Sequence, residues 1–132
     1  MKQEDKDLLF KDLCARLPYG VKCFVNYTIC NETTDYDDVK SSTVDTIVTI
    51  NQQTESYFFE WLSEWFDFDE FKPYLFPLSS MTEEQKTSHN FLKHSAYASP
   101  IKLIDFYNKN HFDYRGLIEK GLAKDATNLN IY

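Results

Sequence analysis

Residues 71–86 read FKPYLFPLSSMTEEQK and mark a change of character along the chain. Pro73 and Pro77 each lack a backbone N–H and fix φ, which disfavours both a helix interior and a central strand. Two overlapping capping boxes follow, each able to begin a helix: Ser80 with Glu83, and Thr82 with Gln85. The stretch therefore predicts a boundary between a strand-rich first part and a helical second part.

Hydrophobic and polar residues alternate over much of residues 21–78, which is typical of half-buried strands. The clearest strand is residues 21–30, whose apolar face includes Cys23 and indicates a buried structural thiol. The other predicted strands are residues 43–51, two aromatic strands that flank a turn near Ser63, and a last short strand at 74–77. A helix over residues 57–66 is the competing interpretation, because Trp61 and Trp65 are four residues apart. Residues 31–42 are predicted to form a solvated loop or a hairpin tip with frayed strand ends. Strands joined by hairpins favour a small antiparallel barrel or curled sheet, with an SH3-like barrel as the specific expectation.

Helical periodicity covers the two ends of the chain. The predicted helices are residues 3–17 before Pro18, residues 83–93, a helix that begins at Ser99-Pro100 and runs to about Asn110, and a last short helix, residues 114–120, capped by Asp113 and ended by Gly121. The sequence thus predicts an α+β protein with a single domain over residues 1–132. Its parts are an N-terminal helix (1–20), the sheet or barrel (21–78) and a helical part (79–132).

Composition narrows the classes of function. The net charge is −7, and an acidic surface disfavours direct binding to nucleic acid or membrane. The three glycines cannot form a phosphate-binding loop. Cys14, Cys23 and Cys30 lack paired metal spacing, and the first residues, MKQEDKDL, are not an apolar signal segment. We therefore expect a cytoplasmic protein with reduced thiols and no cofactor.

Three groups of residues carry side chains of the kinds that bind metals or transfer protons. Asp35, Asp37 and Asp38 match a calcium loop poorly, and His89 and His94 are five residues apart rather than the three or four that align ligands. Asp67, Asp69 and Glu70 are able to supply paired carboxylates, but solvated turn residues are the preferred interpretation. We expect no metal site and no catalytic residue.

The densest polar group is His111, Asp113, Tyr114 and Arg115. Its preferred interpretation is a cap that fixes the angle between two helices, with a binding surface as the alternative. The aromatic-rich, acidic chain favours a non-catalytic interaction module whose partner is another protein, and homodimerisation stays open. The candidate binding residues are Trp61, Trp65, Phe68, Lys72, Tyr74, His111, Asp113, Tyr114 and Arg115, with Phe66 and Phe76 as further aromatic contacts.

Two other functions stay open. One is a binder that sequesters a small ligand such as a signalling nucleotide, whose bases would stack on aromatic rings while Arg115 and Lys72 meet phosphates. The other is an acidic mimic of nucleic acid. Both would be compatible with a chain that carries no assembled catalytic set.

Three blocks of sequence carry a resemblance: KDLCARLPYGV (residues 11–21), FKPYLFPLSSMTEEQK (71–86) and IDFYNKNHFDYRGLIEKGLAKDATNLNIY (104–132). Together they resemble a group of small uncharacterised proteins encoded by gut Bacteroides and by their phages and mobile elements. The resemblance covers somewhat under half of the chain and implies an intracellular bacterial or phage setting. It carries over no site residue.

Overall fold

The computed structural model describes residues 1–29, 39–96 and 99–132. Its elements, in chain order, are α1 (Gln3–Arg16), β1 (Lys22–Ile29), β2 (Val39–Asn51), β3 (Ser56–Phe59), β4 (Trp65–Phe66), β5 (Phe71–Leu75), α2 (Glu83–His94), α3 (Pro100–Lys109) and β6 (Lys124–Asp125). Single 3₁₀ turns follow α1 and β5. The predicted α+β class, with an N-terminal helix, a sheet and further helices, is confirmed.

The six strands form one mixed sheet in the order β4-β3-β2-β1-β5-β6, in which only β5 and β6 are parallel. A flat sheet would hold β4 and β5 about 19 Å apart, which is four strand spacings. The chain from Phe66 to Phe71 reaches only about 17 Å. The sheet must therefore curl, but it does not close, since β4 and β6 are its edges. The closed SH3-like barrel is not confirmed.

Aromatic side chains fill the concave side of this sheet beneath α1. Leu9 and Leu13 of α1 are fully buried in the same cluster as Phe59 and Phe71. The rings of these two phenylalanines meet edge to face, with centroids 5.2 Å apart, a geometry that the ring quadrupole favours. A smaller cluster around Met81, Tyr107 and Phe112 joins the C-terminal helices to the end of β5.

Strand β5 includes Pro73 and begins three residues before the predicted strand at 74–77. Ile47 N donates to Val21 O (3.1 Å), which makes these two residues a hydrogen-bonded pair. By alternation, Cys23 directs its own backbone groups toward β2 rather than β5. Pro73 is the residue of β5 that lies opposite Cys23. No hydrogen bond from β5 to β1 is therefore expected at position 73, and a residue without an N–H fits there. This local pairing explains why a proline is tolerated between two strands.

Most other predicted boundaries agree with the structure. Thr82 forms the second of the two capping boxes with Gln85, while Ser80 Oγ donates to Pro77 O instead. The two aromatic strands with a turn near Ser63 are confirmed as β3 and β4. The predicted loop at 31–42 gives way to β2 from Val39 onward.

Two predictions concern residues 30–38, which are outside the described residues. These are the acidic loop with its aspartates and Cys30, which was expected at the end of β1. Among the helices that are described, none combines the length and the apolar character needed to cross a membrane.

The predicted helix at residues 114–120 is wrong. Asp113 accepts hydrogen bonds from Leu117 N (2.8 Å) and Ile118 N (2.9 Å), but the chain forms turns rather than a helix. Gly116 adopts φ +75°, a left-handed conformation that interrupts a right-handed helix and that glycine adopts without strain. The capping signal was correct, and the element behind it was not.

The C-terminal residues dock on the sheet. Lys124 and Asp125 form β6 alongside β5. The Tyr132 hydroxyl donates to Tyr74 O (2.8 Å) and accepts from Lys22 N (2.9 Å). The segment therefore covers the edge of β5, which would otherwise present unpaired backbone groups.

Candidate binding site

Both tryptophans lie on the β3–β4 hairpin and are exposed, with 70% of Trp61 and 48% of Trp65 accessible. The Trp65 ring packs edge to face against Phe58 of the neighbouring strand, with centroids 5.3 Å apart. Large exposed aromatic side chains that are held in place are typical of protein-interaction surfaces. Sequence reasoning selected these two residues, and the structure brings them to one hairpin.

The turn that carries Trp61 is fixed by a buried carboxylate. Asp45 of β2 is only 5% exposed. Its Oδ1 accepts from Trp61 N (3.0 Å) and Thr46 N (2.7 Å), and its Oδ2 accepts from Leu62 N (2.8 Å). Three backbone donors thus compensate the burial of one charge, and the turn is tied to the centre of the sheet.

Negative charge is concentrated in the same part of the chain. Residues 41–71 contain seven acidic residues and no lysine or arginine, so this segment alone accounts for the net charge of −7. The remaining residues contain 14 acidic and 14 basic side chains. We call the exposed groups of this region the tryptophan–carboxylate surface; its members are Trp61, Trp65, Glu60, Glu64, Asp67, Asp69 and Glu70.

A cleft of about 540 Å³ adjoins this surface. Its walls are residues 26–28 of β1, residues 40 and 41 of β2, residues 64–66 around β4, and Asp69 and Glu70 of the loop before β5. Asn26 N donates to Glu70 O (2.8 Å), which holds the loop against β1. The cleft therefore lies at an open end of the curled sheet, a place where ligand sites often form in β-barrels.

The loop brings three carboxylates together. One oxygen each of Asp67, Asp69 and Glu70 lies within 4.8 Å of the others. Partial burial, followed by the charges of Asp67 and Asp69, raises the pKa of Glu70 above its usual value. Of the residues that the structure describes, this is the one group of histidine, cysteine and carboxylate side chains close enough to share a metal ion. All three are exposed, and their negative charge is suited to a cation.

The comparisons with known proteins add no name to this site. The chain matches no family model, no curated protein and no solved structure. The resemblance to proteins of Bacteroides and their phages stays a prediction, and the site is interpreted from its own geometry.

The second predicted group, around His111 and Arg115, is built around a buried ion pair that the sequence did not reveal. Asp12 and Arg16 of α1 are both fully buried, and Arg16 Nε donates to Asp12 Oδ2 at 2.7 Å. Arg16 Nη2 also donates to Phe112 O (2.6 Å), and Arg115 Nε lies 3.3 Å from Asp12 Oδ1. Arg115 thus shares the carboxylate of Asp12 with Arg16, and a phosphate that bound Arg115 would compete with Asp12.

The rest of that group is also engaged in packing. Tyr114 stacks on Tyr107 with ring centroids 5.1 Å apart. His111 stacks on Tyr132 at 3.7 Å between centroids. Burial, together with the cations of Arg16 and Lys22, lowers the pKa of His111 to about 4. A structural role fits this geometry, but the second of the two helices that the sequence interpretation places here is absent, since residues 114–120 form turns.

Apart from Phe66, which lines the cleft beside Trp65, the remaining predicted residues are not part of the cleft lining. Tyr74 is buried in β5, and Lys72 is exposed on the same strand. Phe68 is partly buried against the core, with Lys6 Nζ 4.4 Å from its ring centroid. Of the two further aromatic residues, Phe66 is buried and Phe76 is half-buried against Phe112.

The described thiols are poorly suited to nucleophilic chemistry. Burial raises the pKa of Cys23 well above its usual value, and partial burial raises the pKa of Cys14. A thiol with a raised pKa holds little of the reactive thiolate near neutral pH. His89 Nε2 and the Tyr107 hydroxyl form a hydrogen bond of 2.7 Å, which places His89 in a packing contact between α2 and α3.

Two signals in the sequence could have identified what was missed. Asp12 and Arg16 stand at helical spacing with Leu9 and Leu13, so they fall on the buried stripe of α1 rather than opposite it. The absence of any basic residue between positions 41 and 71 is visible in the sequence alone. A count of charge by segment finds the second feature directly.

Proposed function

We propose that the protein is a non-catalytic interaction module that binds a basic protein partner through the tryptophan–carboxylate surface. The observation that carries the proposal is the coincidence of two features in residues 41–71. This segment holds both exposed tryptophans and all of the excess negative charge. A partner that presents arginine or lysine would gain from both features, since cations bind to carboxylates and to the faces of aromatic rings.

Among the described residues, Glu64, Asp67, Asp69 and Glu70 form no ion pair with lysine or arginine. Uncompensated charge of one sign accelerates encounter with a partner of the opposite sign. Exposed tryptophan then supplies the apolar contact area that dominates the energy of many interfaces.

The alternative of a nucleotide-sequestering protein is less well supported. Its proposed phosphate ligands were Lys72 and Arg115, and Arg115 is already engaged with Asp12. The cleft beside the tryptophans is lined by carboxylates, which repel phosphate. Mimicry of nucleic acid also implies a basic protein partner and is one form of the proposed interaction.

The proposal is tested by quantitative capture from a bacterial lysate with two matched variants. One variant, Trp61→Ser/Trp65→Ser, removes the exposed rings. The control, Phe91→Ser/Ile101→Ser, removes apolar side chains that are 64% and 72% exposed on the helical hairpin. We expect a set of basic proteins that the unchanged chain and the control retain, that the tryptophan variant loses, and that high salt weakens. Equal capture by all three proteins would contradict the proposal.

A further inference from the structure

The cleft beside Trp65 has the chemistry of a site for one cationic side chain. Its lining includes the carboxyl-bearing residues Glu64, Asp69 and Glu70 and a single lysine, Lys40, which leaves a formal charge of −2. Carboxylates that crowd together without a counter-ion repel one another, and a bound cation relieves that repulsion. Among the residues that the structure describes, the lining of the cleft therefore carries an excess of negative charge.

The remaining lining residues select among cations. Trp65 is half-exposed in the wall of the cleft, and its ring is held by Phe58. Asn26 and Ser41 add an amide and a hydroxyl to the lining. A planar guanidinium stacks on an aromatic face and donates up to five hydrogen bonds, whereas an ammonium is a compact, strongly hydrated charge. A flat ring beside several oxygen acceptors is suited to the guanidinium.

A metal ion is a poorer match for the same residues. Calcium takes six to eight oxygen ligands, which usually include backbone carbonyls. In this loop the Glu70 carbonyl accepts from Asn26 N and the Asp67 carbonyl accepts from Glu70 N. Both carbonyl groups are therefore engaged in holding the loop, and the three carboxylates are exposed rather than enclosed.

We propose that this cleft binds an arginine side chain of the partner, with its guanidinium stacked against Trp65 and bonded to the carboxylates of Asp69 and Glu70. The inference rests on the proposed function and names the anchor residue that the basic partner would insert. The volume of about 540 Å³ exceeds what one arginine side chain needs, so neighbouring residues of the partner also fit. Arginine is among the residues enriched at the energetic centres of interfaces.

The test uses N-acetyl-argininamide as the probe and the indole N–H signals of the two tryptophans as the readout, in two-dimensional NMR of the ¹⁵N-labelled protein. We expect N-acetyl-argininamide at millimolar concentration to shift the Trp65 signal and to leave the Trp61 signal in place. The citrulline analogue has the same shape without the charge and should give no shift. The lysine analogue should bind several-fold more weakly.

Variants locate the site. Asp69→Asn/Glu70→Gln should weaken binding of N-acetyl-argininamide by about tenfold or more, because charge-assisted hydrogen bonds are lost. The control Glu83→Gln/Glu84→Gln removes two charges from the start of α2 and should bind as the unchanged chain does. An unshifted Trp65 signal, an equal response to citrulline, or tighter binding of Ca²⁺ at the same residues would each overturn the inference.

The two proposals fail separately. If the probe does not bind but the tryptophan variant still loses its basic partners, the arginine site is wrong and the interaction surface stands. If the probe binds while the tryptophan variant keeps every partner, the cleft is a cation site and the proposed interaction function is wrong.

Discussion

The buried pair of Asp12 and Arg16 should show strong energetic coupling in a double-mutant cycle. Both side chains are fully buried. Asp12→Leu would leave Arg16 with Phe112 O as its remaining hydrogen-bond partner, and arginine cannot discard its proton. Removing one member of a buried pair costs about 3–5 kcal/mol. We expect a loss in that range for Asp12→Leu, a large part of a typical stability of about 5–15 kcal/mol.

The opposite substitution should cost less. Arg16→Met leaves Asp12 beside Arg115, with 3.3 Å between Arg115 Nε and Asp12 Oδ1. Burial already raises the pKa of Asp12, despite the lowering effect of Arg16, so the carboxyl group can take a proton and become neutral. We therefore expect a loss of about 2 kcal/mol for Arg16→Met, near the cost of an unsatisfied buried polar group.

The double variant measures the energetic coupling between Asp12 and Arg16. Asp12→Leu/Arg16→Met replaces the pair by apolar side chains, a change that is often nearly neutral, and should cost about 1–2 kcal/mol because Phe112 O loses its donor. The assay is urea unfolding followed by far-ultraviolet circular dichroism. The exposed pair of Glu83 and Lys86 (3.1 Å) is the control and should couple by less than about 0.5 kcal/mol. Additive single losses would refute the reasoning.

Three further outcomes are expected in the same unfolding assay. His111→Asn places at position 111 a residue that tolerates the φ of +61°. Because the pKa of His111 is lowered to about 4 in the folded protein, the unfolded chain takes up a proton first as the pH falls from about 6.5, and this destabilises the folded state. On acidification the free energy of unfolding of the unchanged protein should therefore fall by about 1–2 kcal/mol more than that of the variant, after a discount for partial exposure; equal pH slopes would contradict this. Asp45→Ala strands three backbone donors and should cost about 2–4 kcal/mol; a loss below about 1 kcal/mol would count against it. Thr82→Ala removes one bond of the capping box and should cost about 1 kcal/mol, whereas Thr87→Ala should cost less.

Local signals carried well from sequence to structure. Alternation located β1 within one residue at each end, and the capping box of Thr82 located the start of α2. These patterns work because the side chains that produce them interact within one element or one ladder. The class of fold follows from them, since helices and strands must bury their apolar faces against one another.

Features that depend on distant parts of the chain were harder to predict. Asp113 gives the same local signal whether a helix or a turn follows, and the positive φ of Gly116 decides for the turn. The Tyr132 hydroxyl donates a hydrogen bond to the carbonyl of Tyr74, which is 58 residues away, and no local pattern predicts this contact. The parallel strand β6 has no alternation of its own, because two residues are too few to show a period.

Only part of the candidate site could be predicted, again because the rest depends on contacts between distant parts of the chain. Trp61 and Trp65 were among the candidate binding residues, but whether they are exposed could not be predicted from the sequence and is shown by the structure. Their relation to Asp69 and Glu70 could not be predicted either, because it depends on how far the sheet curls. The polar group around His111 was expected between two helices, of which only α3 is found, since turns follow it in the described chain. Its partners Asp12 and Arg16 come from the other end of the chain.

The positions of the acidic residues help to distinguish a role in solubility from a role in binding, which the net charge alone does not. If the net charge of −7 served solubility alone, its position would not matter, and an even spread would place about two of the seven charges in residues 41–71. Instead all seven are there, and one of them, Asp45, is buried to hold the turn that presents Trp61. Self-repulsion among the others opposes compact folding. A segment that combines this unfavourable self-repulsion with two exposed tryptophans is better explained by binding to a partner of opposite charge than by solubility.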